Sequence, residues 1–136
     1  DRFVERLLKN MSLYFSDIDC VVPVPLHYYR YLKRGYNQSA IIGKTVAKEI
    51  GKPLYHRALN KSRHSGRQVD KTLDERKMCL KDAFTIPSYF AESVSLKNVL
   101  LVDDVVTTGA TIDECSKALK RAGAARIDVL TLAKTL

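Results

Sequence analysis

The sequence has few cysteines, no long apolar run and little acid between Leu26 and Lys71. Its three cysteines, Cys20, Cys79 and Cys115, are far apart and form no CxxC pair. An odd, scattered set argues against a disulfide framework and against a structural zinc site within the chain. It favours reduced thiols and a cytoplasmic location. No apolar stretch approaches the roughly 18 to 20 residues needed to cross a bilayer, which excludes a membrane-spanning helix. His27, His56 and His64 share no metal-ligand spacing. No internal repeat or low-complexity segment is present.

The shortage of acid is local. Formal charge is +8, from 23 Lys and Arg against 15 Asp and Glu. Between Leu26 and Lys71, eleven basic residues face only Glu49 and Asp70, so the rest of the chain is near neutral. Such a block suits an anionic partner, polyphosphate or nucleic acid, although a solvated lysine-rich surface explains it too. A chain of 136 residues has room for one domain and one core. We expect a single domain over residues 1–136. A start at Asp1, directly inside a helical pattern, reads as a piece of a longer protein.

Periodicity gives the element order. Residues 1–15 carry Phe3, Leu7, Met11 and Tyr14 near one helical face, with Val4, Leu8 and Phe15 beside it. "DCVVPVPL" reads as a short buried strand stopped by Pro23 and Pro25. Ile42, Val46 and Ile50 then recur every four residues in a helix closed by Gly51 and Pro53. "PLYHRAL" and "DAFTI" read as short strands. Residues 57–82 read as a mobile basic loop with a helical turn around "LDERKMCL", and "PSYFAESVSLK" as a connection. "NVLLV" is a buried strand, Ile112, Cys115, Leu119 and Ala122 stripe the next helix, Gly123 ends it, and "RIDVLTLA" is the last strand. Strands alternating with helices predict an α/β fold with an open, mainly parallel sheet, whose ligands bind at the carboxyl ends of strands.

One stretch carries chemistry: "NVLLVDDVVTTGATIDEC", residues 98–115. Asp103 and Asp104 are like charges side by side where a buried strand should end, and such a pair calls for a cation or a polyhydroxylated partner. Val105, Val106, Thr107, Thr108, Gly109, Ala110 and Thr111 follow, with a helix starting among them. A helix start offers unpaired N–H groups and a positive dipole end, glycine admits close approach, and threonines add donors. That combination cradles phosphate. Acids just before a phosphate cradle suggest one ligand with two ends, as in a ribose 5-phosphate whose 2- and 3-hydroxyls donate to carboxylates. The P-loop pattern GxxxxGK[ST] is absent. Receiver domains also open on "LLVDD", but only 32 residues follow Asp104 here. Solvated acids ahead of a capped helix are the plain structural alternative.

"VLLVDDVVTTGAT", residues 99–111, resembles the phosphoribosyl-pyrophosphate motif of type I phosphoribosyltransferases. "PVPLHYYRYLKRGYNQS" is similar to the "PVP…RGFNQ" signature of the ComF branch, named for competence proteins and often assigned amidophosphoribosyltransferase activity. Ser65, Gln68, Arg76 and Phe84 match a T-x-x-Q, Arg, Phe pattern, with Ser65 in place of Thr, Lys71 where Leu is common and Cys79 where Asn is common. Many relatives carry an N-terminal cysteine-rich zinc ribbon, absent from this sequence.

The resemblance implies a type I phosphoribosyltransferase fold and displacement of pyrophosphate from ribose C1 by a nitrogen nucleophile. Asp103 and Asp104 would meet the ribose hydroxyls, and residues 105–111 would hold the 5-phosphate. Mg²⁺ is expected through the substrate, near the two acids rather than in a protein cage. Arg30, Lys33 and Arg34 are candidates for pyrophosphate, as are Arg63 and Arg67 from the basic loop. Asn37 is expected to cap the following helix. No cysteine sits in a motif that suggests a thiolate nucleophile, so glutamine hydrolysis is not expected in this chain. The implied partners are phosphoribosyl pyrophosphate or a ribonucleotide and a second copy in a homodimer. A non-catalytic module for nucleotide or single-stranded DNA in DNA uptake is the alternative, because Tyr28, Tyr29, Tyr31 and Tyr36 interleave with basic residues.

Overall fold

A computed structural model describes residues 2–26, 33–61 and 83–135. In chain order its elements are α1 (Arg2–Asn10), a 3-10 turn (Ser12–Phe15), β1 (Cys20–Pro23), α2 (Gln38–Ile50), β2 (Asn60–Lys61), β3 (Phe84–Thr85), α3 (Ser88–Val94), β4 (Asn98–Val106), α4 (Ala110–Arg121) and β5 (Arg126–Lys134). Strands β1, β4 and β5 form a parallel sheet in that order, with Cys20 opposite Val99 and Asn98 opposite Arg126. β2 and β3 pair antiparallel beside it. The fold is therefore α/β, with helices on a parallel sheet.

β4 is buried on both faces, as a central parallel strand must be. Its side chains alternate between two cores. Val99 and Leu101 pack with Cys115, Ala118 and Leu119 of α4, while Leu100 and Val102 pack with Val4 and Leu8 of α1 and Val46 and Ala47 of α2. The helix after β1 thus lies on one face and the helix after β4 on the other. The chain leaving β1 returns outward, where Leu54 bridges Val21, and the chain leaving β4 returns on the opposite side as β5. Connections diverge between β1 and β4, the position at which open parallel sheets bind ligands. Gly43 draws α2 onto β1, since a Cβ there would lie 3.3 Å from Leu54 Cδ1 and 3.7 Å from Pro23 Cβ.

Several elements depart from the periodicity. In α1 the buried residues are Val4 and Leu8, whereas Phe3 and Leu7 are exposed, so the core stripe is the neighbouring one. The helix gives way to the 3-10 turn, which buries Phe15 and leaves Tyr14 outside. "PLYHRAL" is not a strand. Only Leu54 bridges β1, between the bonds Val21 N→Pro53 O and Tyr55 N→Val21 O, both 2.9 Å. A turn closing Ala58 N onto Tyr55 O ends the pairing. "PSYFAESVSLK" contains α3, whose start has Pro87 at φ −56° and whose Val94 is buried. Of segment 57–82, Ala58 and Leu59 are buried and Asn60–Lys61 pair with β3. The helical turn expected around residues 73–80 lies outside the described residues.

Candidate functional site

β4 does not stop at Val102. It continues through both acids to Val106, because β5 supplies partners as far as Lys134 opposite Val106. β1 ends earlier, with Pro23 against Val102 and Val24 N donating to Val102 O at 2.8 Å. From Asp103 onward, β4 has lost its β1 neighbour. The first turn of α2 fills that space. Asn37 caps the helix as its sequence predicts, its side chain accepting Ser39 N–H at 3.0 Å while its Nδ2 donates to Val24 O at 3.1 Å. Ser39, now fixed above the end of β1, donates its hydroxyl to Asp103 Oδ1 at 3.1 Å.

Asp103 is only 8% exposed. It accepts the Ser39 hydroxyl and the Asp104 N–H at 2.9 Å, and among the described residues no basic side chain forms an ion pair with it. Burial pushes its carboxyl up to about 6; the nearby Asp104 carboxyl adds to the rise and the two hydrogen bonds oppose it. The other buried acid, Glu114, has an ion pair with Lys117 at 3.1 Å and lies on α4. Asp103 is thus a buried, poorly compensated acid beside a second acid, at the open end of a strand.

The turn after β4 completes the site. Thr107 and Thr108 are exposed, Gly109 adopts φ +82° as the residue before α4, and no side chain caps that helix. Thr108 Oγ1 accepts Ala110 N–H at 3.3 Å, and Gly109 O accepts Asp113 N–H at 2.9 Å. The remaining first-turn N–H groups have no intrahelical acceptor, as at any helix start. Asp103 and the segment from Val105 to Ile112 line one small concavity. Thr131 Oγ1 touches the carbonyl of Asp104 at 3.4 Å, and Thr135 N–H binds the carbonyl of Val106 at 2.9 Å, so β5 braces both ends of the acidic segment.

A cavity of about 400 Å³ lies apart from these groups, between Leu8 and Phe15 on one side and Glu49, Ile50 and Lys52 on the other. It offers neither paired acids nor a helix start. Among the described residues no group of three or more His, Cys, Asp and Glu could hold a metal by itself. The donor set fits Mg²⁺ in another way. Two neighbouring carboxylates, one buried and short of positive charge, suit an ion held mostly by water and substrate oxygens.

Of the basic candidates, Lys33 and Arg34 are exposed ahead of Gly35, which takes φ +75°. Arg30, Arg63 and Arg67 lie outside the described residues, as do Ser65, Gln68, Arg76 and three of the four tyrosines. Tyr36 is exposed, and Phe84 is a fully buried core residue. Cys20 and Cys115 are buried free thiols, raised chiefly by burial, Cys20 to about 11. Ser39 is the residue that the periodicity did not single out. Its signal was its place two residues after a helix cap, in a turn that the strand order brings to Asp103.

Residues 37–135 match the family model described as the phosphoribosyl transferase domain. The chain belongs to the phosphoribosyltransferase family. This phosphoribosyltransferase domain is 35% identical over 132 residues to DNA utilization protein YhgH of Salmonella typhimurium, covering 97% of this chain and 56% of that protein. It is 32% identical over 116 residues to competence protein F of Haemophilus influenzae, covering 85% of this chain and 50% of that protein. The chain spans about half the length of these relatives. The purine phosphoribosyltransferase of Pyrococcus horikoshii superposes with a TM-score of 0.60 at 21% identity, over 98% of this chain and 71% of that one, a likeness of fold. The matched segment contains Asn37, Ser39, the acid pair and the turn after it.

Proposed function

We propose that this phosphoribosyltransferase domain binds phosphoribosyl pyrophosphate with Mg²⁺ and transfers the phosphoribosyl group to a nitrogen acceptor, releasing pyrophosphate. One observation carries the reading: a buried carboxyl, with no ion-pair partner among the described residues, lines the same small concavity as the start of α4. A ligand with hydroxyls at one end and a phosphate at the other satisfies both.

In this reading Asp103 and Asp104 accept from the ribose 2- and 3-hydroxyls and keep negative charge near the sugar as it becomes cationic during displacement. The N–H groups and hydroxyls from Thr107 to Thr111 hold the 5-phosphate and fix the orientation of C1. Mg²⁺, held mainly through substrate oxygens near Asp103 and Asp104, would supply positive charge to offset that of the departing pyrophosphate. Lys33 and Arg34, together with Arg30, Arg63 and Arg67, are the candidates for gripping that group. The basic residues of the stretch from Arg57 to Lys71 would exclude water that otherwise hydrolyses the activated sugar.

The test is calorimetric titration of phosphoribosyl pyrophosphate, with and without Mg²⁺, into the wild type and Asp103→Asn/Asp104→Asn. Mg²⁺-dependent binding lost in the double variant supports the reading. Absence of wild-type binding at millimolar ligand removes it.

A second reading rests on the relatives named for competence and DNA utilization, and on the basic surplus between residues 26 and 71. There the module binds a nucleotide or single-stranded DNA without turnover. Pyrophosphate release across a panel of nitrogen acceptors, set against anisotropy of a labelled single-stranded oligonucleotide, separates the two.

A further inference from the structure

Two segments 64 residues apart are joined at the site by one buried hydrogen bond, from Ser39 Oγ to Asp103 Oδ1. We infer that Ser39 is a positioning residue: it fixes the rotamer in which Asp103 presents its free oxygen to the ligand. The inference rests on the reading of the acid pair as the donor's hydroxyl site.

The geometry gives Ser39 little freedom to do anything else. It is 4% exposed, its N–H is held by the Asn37 side chain, and Asn37 is itself tied to Val24 O at the end of β1. The hydroxyl therefore sits on a frame made from the end of one strand and the start of the next helix. Asp103 needs such a frame. β4 has no β1 partner at this position, and among the described residues no cation pairs with the carboxyl to orient it. Oδ1 accepts from both Ser39 and the Asp104 N–H, and the Asp104 carboxyl is the other side chain that bears on the group. A carboxylate held through one oxygen in this way is oriented to present the other to an incoming donor. The "KRGYNQS" segment would then act in two ways, carrying Lys33 and Arg34 ahead of the cap and setting the acid behind it.

The decisive measurement uses Ser39→Ala and Ser39→Thr in the full chain. The Asp103 carboxyl ¹³C resonance is recorded at neutral pH without ligand, beside thermal melting and calorimetry with phosphoribosyl pyrophosphate and Mg²⁺. The Ala variant is expected to melt near the wild type, to shift the Asp103 resonance and to lose about tenfold in affinity, the worth of one hydrogen bond to a charged group. Thr is expected to restore both. A folded Ala variant with an unmoved resonance overturns the inference, whether or not the donor binds. A resonance that moves in a protein with no affinity for the donor leaves Ser39 as the positioning residue and removes the phosphoribosyl reading instead.

Discussion

Asp103 accepts the backbone N–H of its own neighbour Asp104 at 2.9 Å, so the two acids are bound to each other by one bond while their carboxyls repel. The fold tolerates this pair at a cost. Because burial raises the Asp103 carboxyl to about 6, above the ordinary value of about 4, the folded state holds that proton more tightly than the unfolded chain does. Its contribution to stability is full below about pH 4 and is lost as pH rises through about 6. Asp103→Asn keeps an oxygen for Ser39 and for the Asp104 N–H but carries no charge. We expect the variant to be more stable than the wild type at pH 7 by about 1 to 3 kcal/mol, with the difference fading towards pH 4. Urea melts across that range read it directly. A less stable Asn variant at pH 7 would show that burial of the charge is already compensated.

Asn37 does two jobs that substitution can separate. It accepts Ser39 N–H as a helix cap and donates to Val24 O across to β1. Asn37→Ala removes both, and a lost cap typically costs about 0.5 to 2 kcal/mol. Asn37→Asp retains the cap and removes the donor. We expect Ala to be clearly less stable than Asp, and both to weaken donor binding through displacement of Ser39. Equal melting temperatures for the two variants would mean that the bond to Val24 O, not the cap, dominates.

The sequence was most informative where a pattern was local. The cap at Asn37, the left-handed glycines that end α2 and α4, and the turn into α4 at Gly109 each depend on a few adjacent residues, and all were readable. The parallel arrangement followed from alternation. What escaped was set by tertiary context. Val4 and Leu8 beat Phe3 and Leu7 for the core because the orientation of α1 follows from where α2 and the sheet already lie. β4 runs past Val102 because β5 continues beside it, a fact held in a strand more than 20 residues away. Ser39 could not be paired with Asp103 before the order β1-β4-β5 was known, since nothing in "NQS" names a partner 64 residues on.

The two described thiols can be probed directly. Cys20 and Cys115 are buried, and burial raises both, so neither supplies a thiolate near neutral pH. In the native protein both are expected to resist maleimide at pH 7 and to react fully once unfolded, as peptide mass spectrometry would show. Rapid native labelling of Cys115 would place a solvent path beside Asp103, because the Asp103 charge acts on that thiol.

Gly109 separates the fold's demand from the ligand's. Its φ of +82° penalises any L side chain, yet an added Cβ would meet no heavy atom within 4 Å. The cost of Gly109→Ala is therefore conformational, about 1 to 2 kcal/mol for a left-handed position. Asn visits that region more readily, so Gly109→Asn is expected to recover most of the stability that Ala loses. Binding should not follow stability. If the 5-phosphate sits against the backbone of this turn, the space open around Gly109 is where it approaches, and any side chain there obstructs it. We expect Asn to melt closer to the wild type than Ala does while both lose at least tenfold in affinity for phosphoribosyl pyrophosphate. Wild-type affinity in a folded Gly109→Asn variant would move the phosphate away from this turn and leave the acid pair to be explained by another ligand.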